Sequence, residues 1–178
     1  MINESTVRPK PQNNNAKIAL LVTMLLSLLC IAGYFFAEKY RGIIGLVAIC
    51  FLTSSILFYT KYIAPVFFYD ILIDSDGVPL FIVRQKTGKR EVTLARFELA
   101  DIKDVKFESR EERKKHKTPG GVLKYNYGPS LNPATSCRVF YKSRYENAEI
   151  IIEASKEYAE MLISYSKIAR TARIEDEE

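Results

Sequence analysis

The chain has 178 residues, 48% of them hydrophobic, with 26 Lys and Arg against 21 Asp and Glu, one histidine and three cysteines. The net charge of +5 is unevenly placed: up to Lys61 six basic residues stand against two acidic ones, and beyond it twenty stand against nineteen. That near-neutral remainder argues against a general nucleic-acid binder, and Cys30, Cys50 and Cys137, with no CxxC spacing, argue against a disulfide scaffold or a zinc framework and for small buried thiols.

Residues 1–16 are polar, with two prolines and an Asn run, which predicts a disordered leader. Two uncharged runs follow, "IALLVTMLLSLLCIAGYFFA" (18–37) and "GIIGLVAICFLTSSILFYT" (42–60). About twenty residues at 1.5 Å rise match a hydrocarbon core of about 30 Å. Neither run has a polar face, and backbone in lipid must satisfy its own hydrogen bonds, so each is expected to be a helix. The short connection "EKYR" closes them into an antiparallel hairpin over 17–63. The first run is too long for the apolar part of a signal peptide, and Leu29 is too large to precede a lipidated cysteine at position 30.

Arg8, Lys10, Lys17 and Lys61, with Arg84, Lys86, Lys89 and Arg90 farther on, outnumber Lys39 and Arg41 at the hairpin tip. Flanking positive charge marks the cytoplasmic side, so both termini are expected there, in a multi-pass protein of the cell membrane. The runs hold no Asp, Glu, Lys, Arg or His, the groups that ion pathways and proton relays use. Thr23, Ser27, Thr53, Ser54 and Ser55, with Gly33, Gly42 and Gly45, are expected to pack the two helices together.

From residue 64 to 173 the pattern has a period of two. "FYDILID" sets Tyr69, Ile71 and Ile73 on one face and Asp70 and Asp74 on the other; "PLFIVRQ" and "EVTLARF" complete a three-stranded meander with turns at Gly77 and Gly88. In "ELADIKDVKFES", Val105 and Phe107 are expected inward and Asp104, Lys106 and Glu108 outward. "GVLKYNY" is a weaker strand, and "SCRVFYK" and "AEIIIEA" form a final hairpin. Ser155 then caps a helix whose apolar stripe is Tyr158, Met161, Leu162, Tyr165, Ile168 and Ala169, and 174–178 read as a solvated acidic tail.

About seven antiparallel strands followed by one capping helix, behind two hydrophobic spans, resembles the uncharacterised bacterial membrane proteins that carry a pleckstrin-homology-like (PH-like) cytoplasmic domain. The resemblance rests on this element order, on "TLARFELADIKDVKF" and on "YNY" at 125–127. It implies the fold but transfers no site. Eukaryotic PH domains often bind phosphoinositides through a basic first loop, whereas the corresponding "DSDG" here is acidic.

Little in the sequence supports catalysis. A triad would hang on His116 alone, Cys137 and His116 do not make a metal set, "DSDG" lacks the rest of a calcium loop, and no nucleotide-type glycine loop occurs. No enzyme, metal or cofactor is expected. The basic run "ESREERKKHKTPGG" (108–121) is read first as a solvated loop between strands. Alternatively Arg113, Lys114, Lys115 and Lys117 touch anionic lipid headgroups; nucleic acid would want aromatic stacking that the run lacks. Tyr125 and Tyr127, in "YNYGPSLNPATS", either line a peptide or headgroup groove or pack inward. The expected function is a non-enzymatic, membrane-anchored interaction module that docks a protein partner or senses the bilayer surface; the alternative is a small accessory subunit of a transporter or channel.

Overall fold

The computed structural model describes residues 2–116, 118–143 and 146–177. Two long helices, α1 (Asn15–Phe36) and α2 (Arg41–Phe58), joined by a 3₁₀ turn at Glu38–Tyr40, form an antiparallel hairpin; α2 ends in a π-helical turn, Tyr59–Ile63. Both are long and apolar enough to cross a membrane, and their apolar side chains are mostly not covered by the rest of the chain; Leu29 is 67% exposed and Phe36 88%. The hairpin is held at its small and hydroxylated positions. Ser27 Oγ donates to the Ala48 carbonyl at 3.3 Å, and Ser55 Oγ donates to Thr23 Oγ1 at 2.8 Å. Gly45 faces the Tyr34 ring, where a Cβ would sit in ordinary contact at 3.5 Å. Thr53 and Ser54 instead return their hydroxyls to carbonyls of their own helix.

The leader is not disordered throughout. Ser5–Val7 forms β1, which pairs antiparallel with β2 (Pro65–Ile73), Thr6 facing Asp70. Three residues cannot show an alternation in sequence; the pairing is made by backbone groups that β2 would otherwise leave open. β3 (Pro79–Thr87) and β4 (Arg90–Glu98) complete a four-stranded sheet in the order β1-β2-β3-β4. After a 3₁₀ turn, β5 (Ile102–Ser109), the short helix α3 (Arg110–Lys115), β6 (Leu123–Asn126), β7 (Thr135–Lys142) and β8 (Asn147–Ile152) follow. They build a second sheet in the order β5-β7-β8-β6. The expected meander and final hairpin are present, but β6 runs parallel to β8, so the sheet is mixed rather than wholly antiparallel.

Tyr69, Ile71, Phe81 and Val83 of the first sheet meet Val105, Cys137, Val139, Ile150 and Ile152 of the second in one core. α4 (Lys156–Glu177) adds Tyr158, Ala159, Leu162 and Ala169. Ser155 Oγ accepts the Tyr158 amide at 3.2 Å, as an N-cap does. The buried stripe is rotated from the expected one: Ile168 is exposed and Ser166 is buried, its hydroxyl satisfied by the Ile163 carbonyl at 2.8 Å. The helix runs on through Glu177, with no break after 173. Cys137 is a buried thiol, and burial pushes its pKa up to about 11.

Besides Ile73, which is 42% exposed, three strand residues differ from the expected burial. Asp70 is fully buried because the Arg84 guanidinium closes over it. Glu108 is buried beside Arg138. Phe107 faces Cys137 across the pairing but stays 39% exposed, since β5 is an edge strand.

Candidate functional site

The basic run folds into three separate parts. Ser109 starts α3 with a capping box: its hydroxyl accepts the Glu112 amide at 3.3 Å, and Glu112 Oε2 accepts the Ser109 amide at 2.8 Å. Arg113 is spent inside the fold, donating to Ser136 Oγ at 3.1 Å and to the Pro133 carbonyl at 2.9 Å. Lys114 and Lys115 are exposed, and Lys117 lies outside the described residues. Arg113 therefore does not share an exposed surface with Lys114 and Lys115.

After α3, His116 and Thr118 lie against a buried charge cluster on the outer face of the second sheet. Arg138 donates from Nε and Nη2 to Glu108, the latter at 2.8 Å, and from Nη1 to Glu149 Oε2 at 2.7 Å. His116 Nε2 lies 2.9 Å from Glu149 Oε1, and Thr118 Oγ1 donates to Glu149 Oε2 at 2.8 Å. Burial raises the Glu149 pKa, but these hydrogen bonds and the Arg138 charge outweigh it and hold the carboxyl below its usual range. Burial likewise opposes the charge on Arg138, and its two carboxylates reverse the effect. His116, the sole histidine, is thus fastened to a structural carboxylate. Among the described residues no group of three or more His, Cys, Asp or Glu is placed to hold a metal ion.

The loop after β6 is a joint. Tyr125 and Tyr127 stack with centroids 6.0 Å apart; the Tyr125 hydroxyl donates to Glu146 at 2.9 Å, and the Tyr127 carbonyl accepts from the Tyr69 hydroxyl at 2.9 Å. Glu153, buried at the end of β8, accepts from both the amide and the hydroxyl of Ser130, each at 2.6 Å. A Cβ at Gly128 would lie 2.6 Å from Glu153 Oε1, so a larger residue there makes the Glu153 side chain shift from its bonds to Ser130. From the leader, the Gln12 amide donates to Ser130 Oγ at 2.8 Å, and the Gln12 side chain both donates to the Thr135 carbonyl at 2.7 Å and accepts its amide at 3.0 Å. Asn13 adds a bond to the Asn132 carbonyl at 3.1 Å. This loop therefore holds the leader just before α1 begins.

Burial raises the Glu153 carboxyl above its ordinary value of 4.5, against the lowering pull of the Ser130 bonds and the Arg113 charge. The folded chain then holds that proton more tightly than the unfolded chain. The cost of the buried carboxylate is fully present above the folded value and is relieved as pH falls through the interval down to the ordinary one. In parallel thermal melts between neutral pH and pH 4.5, the wild type is expected to gain on the Glu153→Gln variant as the pH is lowered. A gap that stays constant with pH contradicts this.

Two further features gather at the hairpin end of the β-domain. A cleft of about 470 Å³ is lined by Arg8, Lys10, Lys17, Tyr62, Pro65 and Pro129 among others. Beside it, Pro65 pairs with Thr87, so the β3–β4 turn, with Lys86, Lys89 and Arg90 all exposed, projects toward the same end. Arg8 and Arg84 both lie over the Phe68 ring, at 6.0 and 5.8 Å from its centroid. The cations of this end were legible in sequence only as flanking charge; their convergence comes from the β1–β2 pairing. No family model matches the chain, and no curated protein or solved structure matches it either.

Proposed function

We propose that this chain is a two-span protein of a bacterial cell membrane whose β-domain, of PH-like architecture, is a non-enzymatic docking module in the cytoplasm. The observation that carries the reading is the mounting. β2 begins two residues after the π-helical turn that ends the second apolar helix, β1 pairs back onto β2, and Gln12 ties the leader to the far sheet. A domain joined by a flexible linker samples many poses; this one has a fixed distance and orientation with respect to the hairpin. At the hairpin tip stand only Lys39 and Arg41, against Arg8, Lys10, Lys17 and Lys61 at the domain side, a bias that supports cytoplasmic termini.

For a protein partner, β4 is the suited element. It is the far edge of its sheet, and it is exposed from Arg90 to Leu94, with Val92 and Leu94 at 42% and 37%. An open edge with apolar side chains is a template for strand addition.

A photo-crosslinking residue placed at Thr93 in the intact membrane is expected to yield one discrete protein adduct, lost when Val92 and Leu94 are both changed to Asp. Adducts from Cys30 or Cys50 in the hairpin, with none from β4, would instead favour an accessory subunit of a transporter or channel.

A further inference from the structure

We infer that the cleft at the hairpin base is a binding site for the headgroup of an anionic phospholipid. The inference rests on the reading of the two apolar helices as membrane spans, and it adds a site that the docking role does not require.

Lys17 stands in the first turn of α1, immediately before the uncharged stretch that starts at Ile18, and Tyr62 stands just after the uncharged stretch of α2. The cleft therefore opens at the level where the apolar surface of both helices stops. Acyl chains laid along that surface place a phosphodiester at the cleft mouth.

Charge points the same way. Arg8, Lys10 and Lys17 are all exposed, and no ion pair joins any of them to a carboxylate among the described residues. No Asp or Glu lines the cleft. Three arginines of the domain are paired, Arg84 with Asp70 and Glu91, Arg96 with Asp74, and Arg138 with Glu108 and Glu149. Arg8, Lys10 and Lys17 instead share one cleft whose lining holds no carboxylate. Tyr62 adds an aromatic with a polar tip, a residue type that sits at headgroup level.

Geometry makes it a site rather than a diffuse patch. Pro65 and Pro129 are buried and give rigid walls. The leader carrying Arg8 and Lys10 is held on one side by β1–β2 pairing and on the other by the Gln12 bonds to Ser130 and Thr135. The cations are thus positioned before any lipid arrives, which lowers the ordering cost of binding.

The test uses the full chain in neutral detergent, with native mass spectrometry of the protein titrated with dioleoyl phosphatidylglycerol or dioleoyl phosphatidylcholine. Wild type is expected to retain the anionic lipid preferentially. Changing Arg8, Lys10 and Lys17 together to Gln is expected to weaken that retention on the order of a hundredfold, taking about 1 kcal/mol for each cation near an anionic surface. Lys114→Gln with Lys115→Gln is expected to leave it unchanged, and Arg8→Lys is expected to retain it. Equal retention of the two lipids by wild type, or an undiminished preference in the triple variant, overturns the inference. Displacement of the lipid by millimolar inorganic phosphate overturns the lipid as the source and leaves a free phosphate site. Alkaline extraction of the membranes separates the two levels of the argument. Release of the chain defeats the spanning reading and the inference with it, whereas a chain that stays in the membrane while the triple variant binds normally defeats the inference alone.

Discussion

Replacing Arg138 by alanine is expected to lower the unfolding free energy by about 3–5 kcal/mol, read as a fall in the denaturation midpoint of the purified full chain. The magnitude follows from what stays behind. Arg138 and Glu149 side chains are each 1% exposed and Glu108 is 10% exposed, so removing the guanidinium leaves two carboxylates in a site that water does not reach. Protonating them is the only relief, which makes the variant's deficit shrink at acid pH. Arg138→Lys is not a rescue, because one ammonium cannot copy the fork that reaches Glu108 with two nitrogens and Glu149 with a third. The informative comparison is the triple replacement of Arg138, Glu108 and Glu149 by apolar residues of similar volume, expected to recover most of the loss. Recovery means that the cluster selects where His116 and Thr118 lie on the sheet rather than supplying net stability; failure to recover means that the bonds of His116 and Thr118 to Glu149 carry part of the stability.

The same cluster shows where sequence reading stopped. The helical hairpin and the β2–β4 meander were legible because each is written in a local period: uncharged runs of about twenty residues, then strict alternation between Gly turns. Alternation also sets Glu108 on the outer face of the second sheet; the register puts Arg138 and Glu149 on that face too, with Arg138 diagonal to both carboxylates and Lys106 directly opposite it. What alternation cannot say is that an outer face is covered, and here His116 and Thr118 cover Glu149. Asp70 was misread for a related reason, since the arginine that closes over it comes from another strand. β1 was invisible because three leader residues carry no period. The joint at Gln12, Ser130 and Glu153 links residues more than a hundred positions apart and left no local trace.

Tyr69 is where that joint meets the core, and its truncation is expected to have the second large effect. The side chain is fully buried. Its hydroxyl accepts the Glu153 amide at 3.2 Å and donates to the Tyr127 carbonyl at 2.9 Å, while its own carbonyl accepts from the Tyr158 hydroxyl at 3.3 Å. Burial drives the phenol far above its ordinary pKa, so it remains a neutral donor throughout the pH range in which the protein is handled. Tyr69→Phe keeps the ring but strands an amide and a carbonyl, a cost of about 1–3 kcal/mol. Tyr69→Ala also empties the ring volume and is expected to cost about 3–5 kcal/mol. Hydrogen exchange separates the two contributions. If the hydroxyl holds the joint, amide protection at Gly128 and Ser130 and at Gln12 falls in the Phe variant while Val83 and Ile150 stay protected. If the Phe variant keeps that protection, the Ser130–Glu153 pair holds the loop by itself. The fixed mounting of the domain on the hairpin then runs through Gln12 and Ser130 to Glu153, without the aromatic core.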